Sequence, residues 1–120
     1  MDAAVIGSDD QVIIETLGAE IEALGYEAVY AVNGLDIIEA IGHECPALVI
    51  IDASILVVSA YACCQELRRD PTLPKTLPIF LLTDNETNPR ILSKFGFTDI
   101  FPKRHLFNDL RELLARNSLK

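Results

Sequence analysis

Polar residues that could carry out chemistry stand at the ends of short apolar runs in this sequence. Carboxylates that are held close together repel one another and raise each other's pKa unless a cation lies among them. A hard divalent ion such as Mg²⁺ prefers oxygen ligands of this kind, and an ammonium and a hydroxyl beside it would suit a phosphoryl group. The residues concerned are Ser8, Asp9 and Asp10 after the first run, Asp52 after the third, Thr83 and Asp84 after the fourth, and Lys103 after the fifth.

Asp52 is the least ordinary of these residues. It follows the apolar residues 48–51 without a break, and a carboxyl group in that position is costly to keep unless it has a partner or a function. A rigid strand before it could aim the carboxylate as a nucleophile. For the acids after the first run a simpler interpretation stays open, because Asp9 or Asp10 could cap a helix that begins at Gln11.

Five apolar runs of four to six residues, rich in Val, Ile and Leu, predict buried strands rather than helices. The third and fourth runs are continuously apolar, which is typical of a parallel sheet covered on both faces. The predicted strands span residues 3–7, 27–31, 47–51, 77–82 and 98–101.

Segments with helical periodicity lie between and after these runs. Glycines follow the first, second and fourth segments, as is common after a helix. The predicted helices span residues 11–24, 35–41, 59–69, 89–95 and 106–117. The residues predicted to face inward are Ile14, Leu17, Ile21 and Leu24 in the first helix, Leu35, Ile38 and Ile41 in the second, and Phe107, Leu110 and Leu114 in the last.

Strand and helix alternate five times, which predicts an α/β fold with right-handed crossovers and a parallel sheet. We predict the strand order 2-1-3-4-5, with two helices on one face of the sheet and three on the other. The polar residues named above then meet at the carboxyl edge of the sheet, where open α/β sheets bind ligands. The length of 120 residues suits one domain, spanning 1–120, with its own core.

The composition limits the classes of partner. Ten Lys and Arg against 18 Asp and Glu give a net charge of −8, which argues against direct nucleic-acid binding and against docking on an anionic membrane. No apolar stretch reaches the roughly 20 residues of a transmembrane helix, and the acidic start is unlike a signal peptide. We therefore expect a soluble, cytoplasmic protein, with Cys45, Cys63 and Cys64 as small buried side chains in a reducing compartment.

Five stretches of the sequence share a pattern with one known family: VIGSDD at 5–10, LVIID at 48–52, QELRRDP at 65–71, PIFLLT at 78–83 and TDIFPK at 98–103. Through them the sequence resembles, over essentially its whole length, the receiver domain of bacterial two-component response regulators. The resemblance implies a flavodoxin-like (βα)5 three-layer sandwich in a phosphorelay, where an aspartate at the end of strand 3 accepts a phosphoryl group from a sensor histidine kinase. It implies a signalling domain rather than an enzyme, with only self-catalysed phosphotransfer and dephosphorylation.

Carried over residue by residue, the resemblance implies that Asp52 is the phosphoacceptor and that Asp9 is the main carboxylate ligand of Mg²⁺. The backbone carbonyl of Ser54 is the implied third ligand, and Asp10 is an alternative one. The implied contacts to phosphoryl oxygens are those of Thr83 and Lys103.

The chain also departs from the family pattern. Ser8 occupies one of two positions after strand 1 that are usually acidic, so we expect weaker Mg²⁺ binding than in a receiver with both acids. Ile100 stands where a Tyr or Phe often reports phosphorylation, and Asp84 stands where a small residue usually leaves the acceptor open. The remaining departures are Leu56, Ala60 and Arg104, in place of Pro, Gly and Pro.

Three functions stay open at this point. The first is a phosphorylated receiver, and the second is a degenerate receiver that serves as an interaction module without phosphate. The third, a small flavodoxin-like nucleotide or flavin carrier, is disfavoured because no Gly-rich loop follows strand 1. The expected partners are a sensor histidine kinase or phosphotransfer protein and an unidentified output protein, with no direct contact to nucleic acid or membrane, and a homodimer is left open.

Overall fold

Strands and helices alternate along the chain in the part that the structure describes. The structure is a computed structural model and describes residues 2–84, 90–103 and 110–117. The strands are β1 (Ala3–Gly7), β2 (Glu27–Ala31), β3 (Leu48–Asp52), β4 (Ile79–Thr83) and β5 (Asp99–Pro102). The helices are α1 (Gln11–Ala23), α2 (Gly34–Glu44), α3 (Ala60–Arg69), α4 (Arg90–Phe95) and α5 (Leu110–Arg116).

The strands form one parallel sheet in the order β2-β1-β3-β4-β5, as predicted. Every residue of β3 and β4 is buried, as their continuous apolar runs indicate. The last three predicted strands are displaced by one or two residues. They were predicted at 47–51, 77–82 and 98–101, and the structure has β3 at Leu48–Asp52, β4 at Ile79–Thr83 and β5 at Asp99–Pro102. β3 therefore includes Asp52. The ladder continues that far: Asp52 pairs with Leu82, and the next amide, that of Ala53, donates to the Leu82 carbonyl at 2.9 Å.

Two helices cover one face of the sheet and three cover the other, as predicted. Alternate residues of each strand point to opposite faces, so Ile6 and Ile50 pack with α1 and α5 while Val49 and Ile51 pack with α2, α3 and α4. The longest described helix, α1, has 13 residues. Within residues 2–84, 90–103 and 110–117, no helix has the length and apolar character that crossing a membrane requires.

The predicted inward faces of α1 and α2 are confirmed in large part. Leu17, Ile21 and Ile41 are buried, and Leu24 and Ile38 are partly buried against the core. The prediction is wrong for Leu35, which is 48% exposed. The reason is that α2 begins at Gly34, capped by Asn33, and the row that then faces the sheet runs through positions 37 and 41. In α1 the buried row likewise starts at Ile13, and Ile14 is only partly buried.

The prediction for the last helix is confirmed where it can be followed. Leu110 and Leu114 are buried in α5, together with Leu113. Phe107 and the rest of residues 104–109, like Pro89 at the predicted start of the fourth helix, lie outside the described residues.

The prediction of three buried cysteines is wrong for one of them. Cys63 and Cys64 are fully buried on the inner side of α3. Cys45 is exposed, because it is the residue that ends α2, with φ at 45° in the left-handed region. A residue in that position turns the chain out of the helix at the surface.

The loop between β3 and α3 has an unusual backbone. Val57 has φ at 71°, and the amide of Val58 donates to the Leu56 carbonyl at 2.9 Å. This is a γ-turn of the rare positive-φ form, which is strained for a β-branched residue. The loop packs on the start of α2, where the Gly34 amide donates to the Leu56 carbonyl at 3.1 Å. A Cβ atom at Gly34 would collide with the Val58 carbonyl oxygen.

Candidate functional site

Asp52 lies at the carboxyl edge of the sheet, at the end of its central strand. Its exposed fraction is only 1%. The ends of β1 and β4 flank it, because both strands pair directly with β3. The parallel register therefore gathers the polar residues that follow these strands around one carboxylate, as the sequence predicts.

Both carboxylate oxygens of Asp52 accept hydrogen bonds. Oδ1 accepts from the Lys103 ammonium at 2.7 Å, from the Ser54 hydroxyl at 2.7 Å and from the Ser54 amide at 3.0 Å. Oδ2 accepts from the Ser8 hydroxyl at 2.8 Å. The Lys103 ammonium also donates to the Ser54 hydroxyl oxygen at 3.1 Å, which closes a ring of three side chains. Strand ends and loops thus converge on one buried charge.

These contacts decide the protonation of Asp52. Burial alone would raise its pKa, because a buried carboxylate loses its hydration. The hydrogen bonds from Lys103, Ser54 and Ser8 together outweigh burial and hold the pKa of Asp52 below its usual range. Asp52 is therefore ionised at neutral pH, which is the state that a nucleophilic carboxylate requires.

Ser8 is a donor to Asp52, a role that was not predicted from the sequence, although its place among the polar residues at the sheet edge was. Ser8 is 1% exposed. Its hydroxyl donates to Asp52, and its oxygen accepts the amide of Asp10 at 3.1 Å. The predicted strand order contained the signal, because order 2-1-3 places the residue after strand 1 beside the residue that ends strand 3.

The two acids after β1 have different positions. Asp10 is the N-cap of α1, and its Oδ1 accepts from the Val12 amide at 2.9 Å and the Ile13 amide at 3.4 Å. The simpler interpretation, a helix cap, is therefore confirmed for Asp10. Asp9 is exposed to solvent.

The residue at the end of β4 also lies at this edge. Thr83 is 4% exposed and pairs in the ladder with Pro102, the residue before Lys103. Since β4 is the neighbour of β3, Thr83 stands one strand away from Asp52. Asp84, which follows it, is exposed.

The oxygen atoms at this edge form a small set of candidate ligands for Mg²⁺. Mg²⁺ is commonly held by one or two carboxylates and keeps several waters. The carboxylates of Asp9 and Asp52 and the carbonyl of Ser54 fit that reduced set. No cluster of three or more His, Cys, Asp or Glu side chains suited to a metal occurs among the described residues, so the set is a sparse one.

The chain is similar to proteins of two-component signalling. It is 25% identical over 111 residues to the hybrid signal transduction protein dokA of Dictyostelium discoideum, and the match covers 92% of this chain and 7% of dokA. The chain thus spans a small part of that relative's length. No family model matches the sequence.

Solved receiver domains share the fold. The signal receiver domain of a signal transduction histidine kinase from Syntrophus aciditrophicus is 26% identical, with a TM-score of 0.83 over 98% of this chain and 89% of that one. The response regulator protein TrrA from Thermotoga maritima, in complex with Mg²⁺-BeF, is also 26% identical, with a TM-score of 0.83 over 98% and 99% of the two chains. These matches confirm the predicted fold and the resemblance to receiver domains.

Proposed function

Starting from the receiver fold, we propose that this chain is a phosphoacceptor of a two-component phosphorelay. Asp52 takes a phosphoryl group from a phosphohistidine of a sensor histidine kinase or a phosphotransfer protein. The observation that carries the proposal is the ionised, buried carboxylate of Asp52 at the centre of the sheet edge, with the Lys103 ammonium 2.7 Å away.

In the proposed reaction an oxygen of Asp52 forms a bond to phosphorus as the bond to the donor's imidazole nitrogen breaks. The products are an acyl phosphate and a free imidazole, which keeps the electron pair of the broken P–N bond and takes up a proton from solvent. The negative charge beside Lys103 is then carried by the transferred phosphoryl group instead of the carboxylate. The Lys103 ammonium follows that charge and pairs with a phosphoryl oxygen. The Thr83 hydroxyl is the proposed donor to another phosphoryl oxygen, and it stands on the neighbouring strand.

Mg²⁺ is part of this proposal. Asp9, Asp52 and the carbonyl of Ser54 would hold it, while Asp10 serves α1 as its cap. When bound, the ion would neutralise charge that builds up on the phosphoryl oxygens. TrrA, which is similar in fold, binds Mg²⁺-BeF.

Intact mass spectrometry after treatment with acetyl phosphate and Mg²⁺ tests the proposal. The wild-type chain gains the mass of one phosphoryl group, and Asp52→Asn gains none. Asp84→Asn, which changes an exposed acid after β4, is the matched control and keeps the label. A wild type that stays unlabelled, or a label that persists in Asp52→Asn, would contradict the assignment.

A second candidate is an interaction module of the same fold that works without phosphate. The observation that favours it is the complete set of donors around Asp52, which satisfies the carboxylate with protein groups alone. On this alternative Asp52 and Lys103 are a structural ion pair. An unlabelled wild type whose Asp52→Asn variant loses stability would support it.

The setting of the proposed function is a cytoplasmic one. We propose that residues 1–120 act as one receiver-like domain, which passes its signal by docking on an output protein rather than by contacting nucleic acid or membrane. The net charge of −8 supports that choice, because contact with phosphates needs a basic face. Beyond its own phosphorylation and dephosphorylation, the proposal includes no catalytic activity, and it leaves homodimerisation open.

A further inference from the structure

We infer that Ser8 is a positioning residue that competes with divalent cations for Asp52. Its hydroxyl holds the carboxylate in place without a metal and thereby lowers the affinity of the site for Mg²⁺. Ser8 is thus more than a missing carboxylate ligand, because its hydroxyl competes with the ion for the same oxygen of Asp52. The inference rests on the proposed function in that Asp52 and the Mg²⁺ site are the ones proposed above.

The hydrogen-bond donors around Asp52 leave one of its two carboxylate oxygens open to a cation. Oδ1 accepts three hydrogen bonds, from the Lys103 ammonium and from the hydroxyl and amide of Ser54. A carboxylate oxygen has about two lone-pair sites, so Oδ1 is fully occupied, and one of its donors is itself a cation. A metal ion must therefore bind Oδ2, the oxygen to which Ser8 donates at 2.8 Å.

The Ser8 hydroxyl cannot easily turn away from Oδ2. A hydroxyl has a single hydrogen, and here its oxygen also accepts the amide of Asp10 at 3.1 Å. That amide therefore occupies one lone pair and leaves the hydrogen directed at Asp52. Farther back, the amide of Ser8 donates to the Ala31 carbonyl at 2.9 Å, and the side chain is 1% exposed. The Ser8 side chain is thus held by hydrogen bonds from both sides, in a position that is shielded from solvent.

A metal ion at Oδ2 must break the Ser8 hydrogen bond. A hydrogen bond between a neutral donor and a buried charge is among the stronger ones in proteins. The ion gains little in exchange from the described residues around it, since the candidate carboxylate of Asp9 is exposed, while Asp10 caps α1. The balance therefore favours the serine at low Mg²⁺ concentration.

A Mg²⁺ titration of the unphosphorylated full chain, followed by the amide chemical shifts of residues 8–10 and 52–54, tests the inference. Ser8→Ala adds no ligand, yet we expect it to bind Mg²⁺ about threefold to tenfold more tightly than the wild type, because it removes the competing hydrogen bond. Ser8→Asp, which removes the hydroxyl and adds a carboxylate, should bind more tightly still.

Ser93→Ala is the control. It deletes an exposed serine hydroxyl in α4, which donates to the Arg90 carbonyl at 3.2 Å. This hydroxyl is not among the donors to Asp52, so Mg²⁺ affinity should stay within about twofold of the wild type, less than one hydrogen bond contributes. Ser8→Cys keeps the size of the side chain with a much weaker donor, and it should bind Mg²⁺ more tightly than the wild type even if Ser8→Ala folds poorly.

An unchanged or lower Mg²⁺ affinity in both Ser8→Ala and Ser8→Cys would overturn the inference and leave Ser8 as a missing ligand only. The same holds if neither the wild type nor any variant binds Mg²⁺. The phosphorylation of Asp52 is measured separately, by the mass gain with acetyl phosphate. A chain that is labelled at Asp52 but fails the Ser8 test would sink this inference alone, and the reverse result would sink the proposed function alone.

Discussion

The charge of Asp52 depends on a few neighbouring side chains. Burial works against ionisation, and the donors that surround the carboxylate restore it. The stability of the fold and the readiness of Asp52 to react therefore rest on the same contacts. A change in any one donor should alter both, which makes this group of residues suitable for pH-dependent measurements.

Lys103→Met should destabilise the protein by about 2 kcal/mol at pH 7, because it leaves the buried carboxylate of Asp52 without its cation. The loss is smaller than for a fully buried pair, since Lys103 is partly exposed. In the wild type the pKa of Asp52 is depressed. Its contribution to stability is present above the unfolded-state pKa of about 3.9 and is lost as the pH falls through the lower folded-state pKa. Lys103→Met removes the largest of the contributions that lower the pKa of Asp52, so the folded-state pKa rises.

The difference in stability between the two proteins should consequently shrink as the pH falls through the raised folded-state pKa of the variant, and it should go on shrinking down to the lower folded-state pKa of the wild type. Urea unfolding of both proteins across this pH range measures it. Lys75→Met, at an exposed lysine, should remain close to the wild type throughout. A difference that stays constant with pH would show that Lys103 acts through packing and not through the charge of Asp52.

At the scale of elements, the loop after β3 and the start of α2 are in direct backbone contact. Gly34→Ala should destabilise the protein by about 2 kcal/mol, because the new methyl group meets the Val58 carbonyl oxygen and neither backbone can yield freely. Gly42→Ala, in the same helix, has open space around it and should stabilise by about 0.5–1 kcal/mol. Thermal unfolding of the two variants compares them, and equal effects would argue against the contact.

The β5 side of the sheet should respond little to phosphorylation. Ile100 is partly buried on the face of the sheet that α2, α3 and α4 cover. A β-branched side chain is held near one χ1 rotamer, so it cannot swing as the family's usual Tyr or Phe does. Beryllofluoride, bound in place of the phosphoryl group, should shift the amide signals around Asp52 and Thr83 while those of Ile100 and residues 110–114 change little. Large shifts along α5 would contradict this.

Much of the fold follows from the sequence, because a strand buried on both faces is continuously apolar and leaves a clear signal. The inward faces of α1 and α2 were predicted only in part, since apolar residues at 13 and 14, or at 35, 37 and 38, allow more than one stripe. The caps Asp10 and Asn33 decide between these stripes.

The candidate site residues Asp52 and Lys103 were identified by their positions after strands. Ser8 was missed because its role depends on a contact between two strands 44 residues apart.

Viewed as a whole molecule, the chain has one accessible thiol and two protected ones. Burial raises the pKa of Cys63 to about 12 and that of Cys64 to about 11, and thiolate is the reactive form. Cys45 is exposed. We expect an aromatic disulfide reagent to titrate one thiol per chain in native buffer and three in concentrated urea. Cys45→Ser should show none in native buffer, and rapid reaction of that variant would mean that α3 opens readily.

The strand order also has a consequence for how the protein is made. A ribosome releases β1, β2 and β3 first, and these are the adjacent strands β2-β1-β3 of the finished sheet. The later strands are then added one after another at a single edge, so no strand has to be inserted between two that have already paired. The growing chain can therefore bury β1 on both sides before β4 and β5 exist.

The same order predicts which amides exchange fastest with solvent deuterium in the finished protein. β5 has one neighbour in the sheet, and α4 has no fully buried residue. These two elements should open with the smallest free energy, while β1 and β3, each paired on both sides, should exchange only on global unfolding. Slower exchange in β5 than in β1 would show instead that the last strands to be synthesised hold the sheet together.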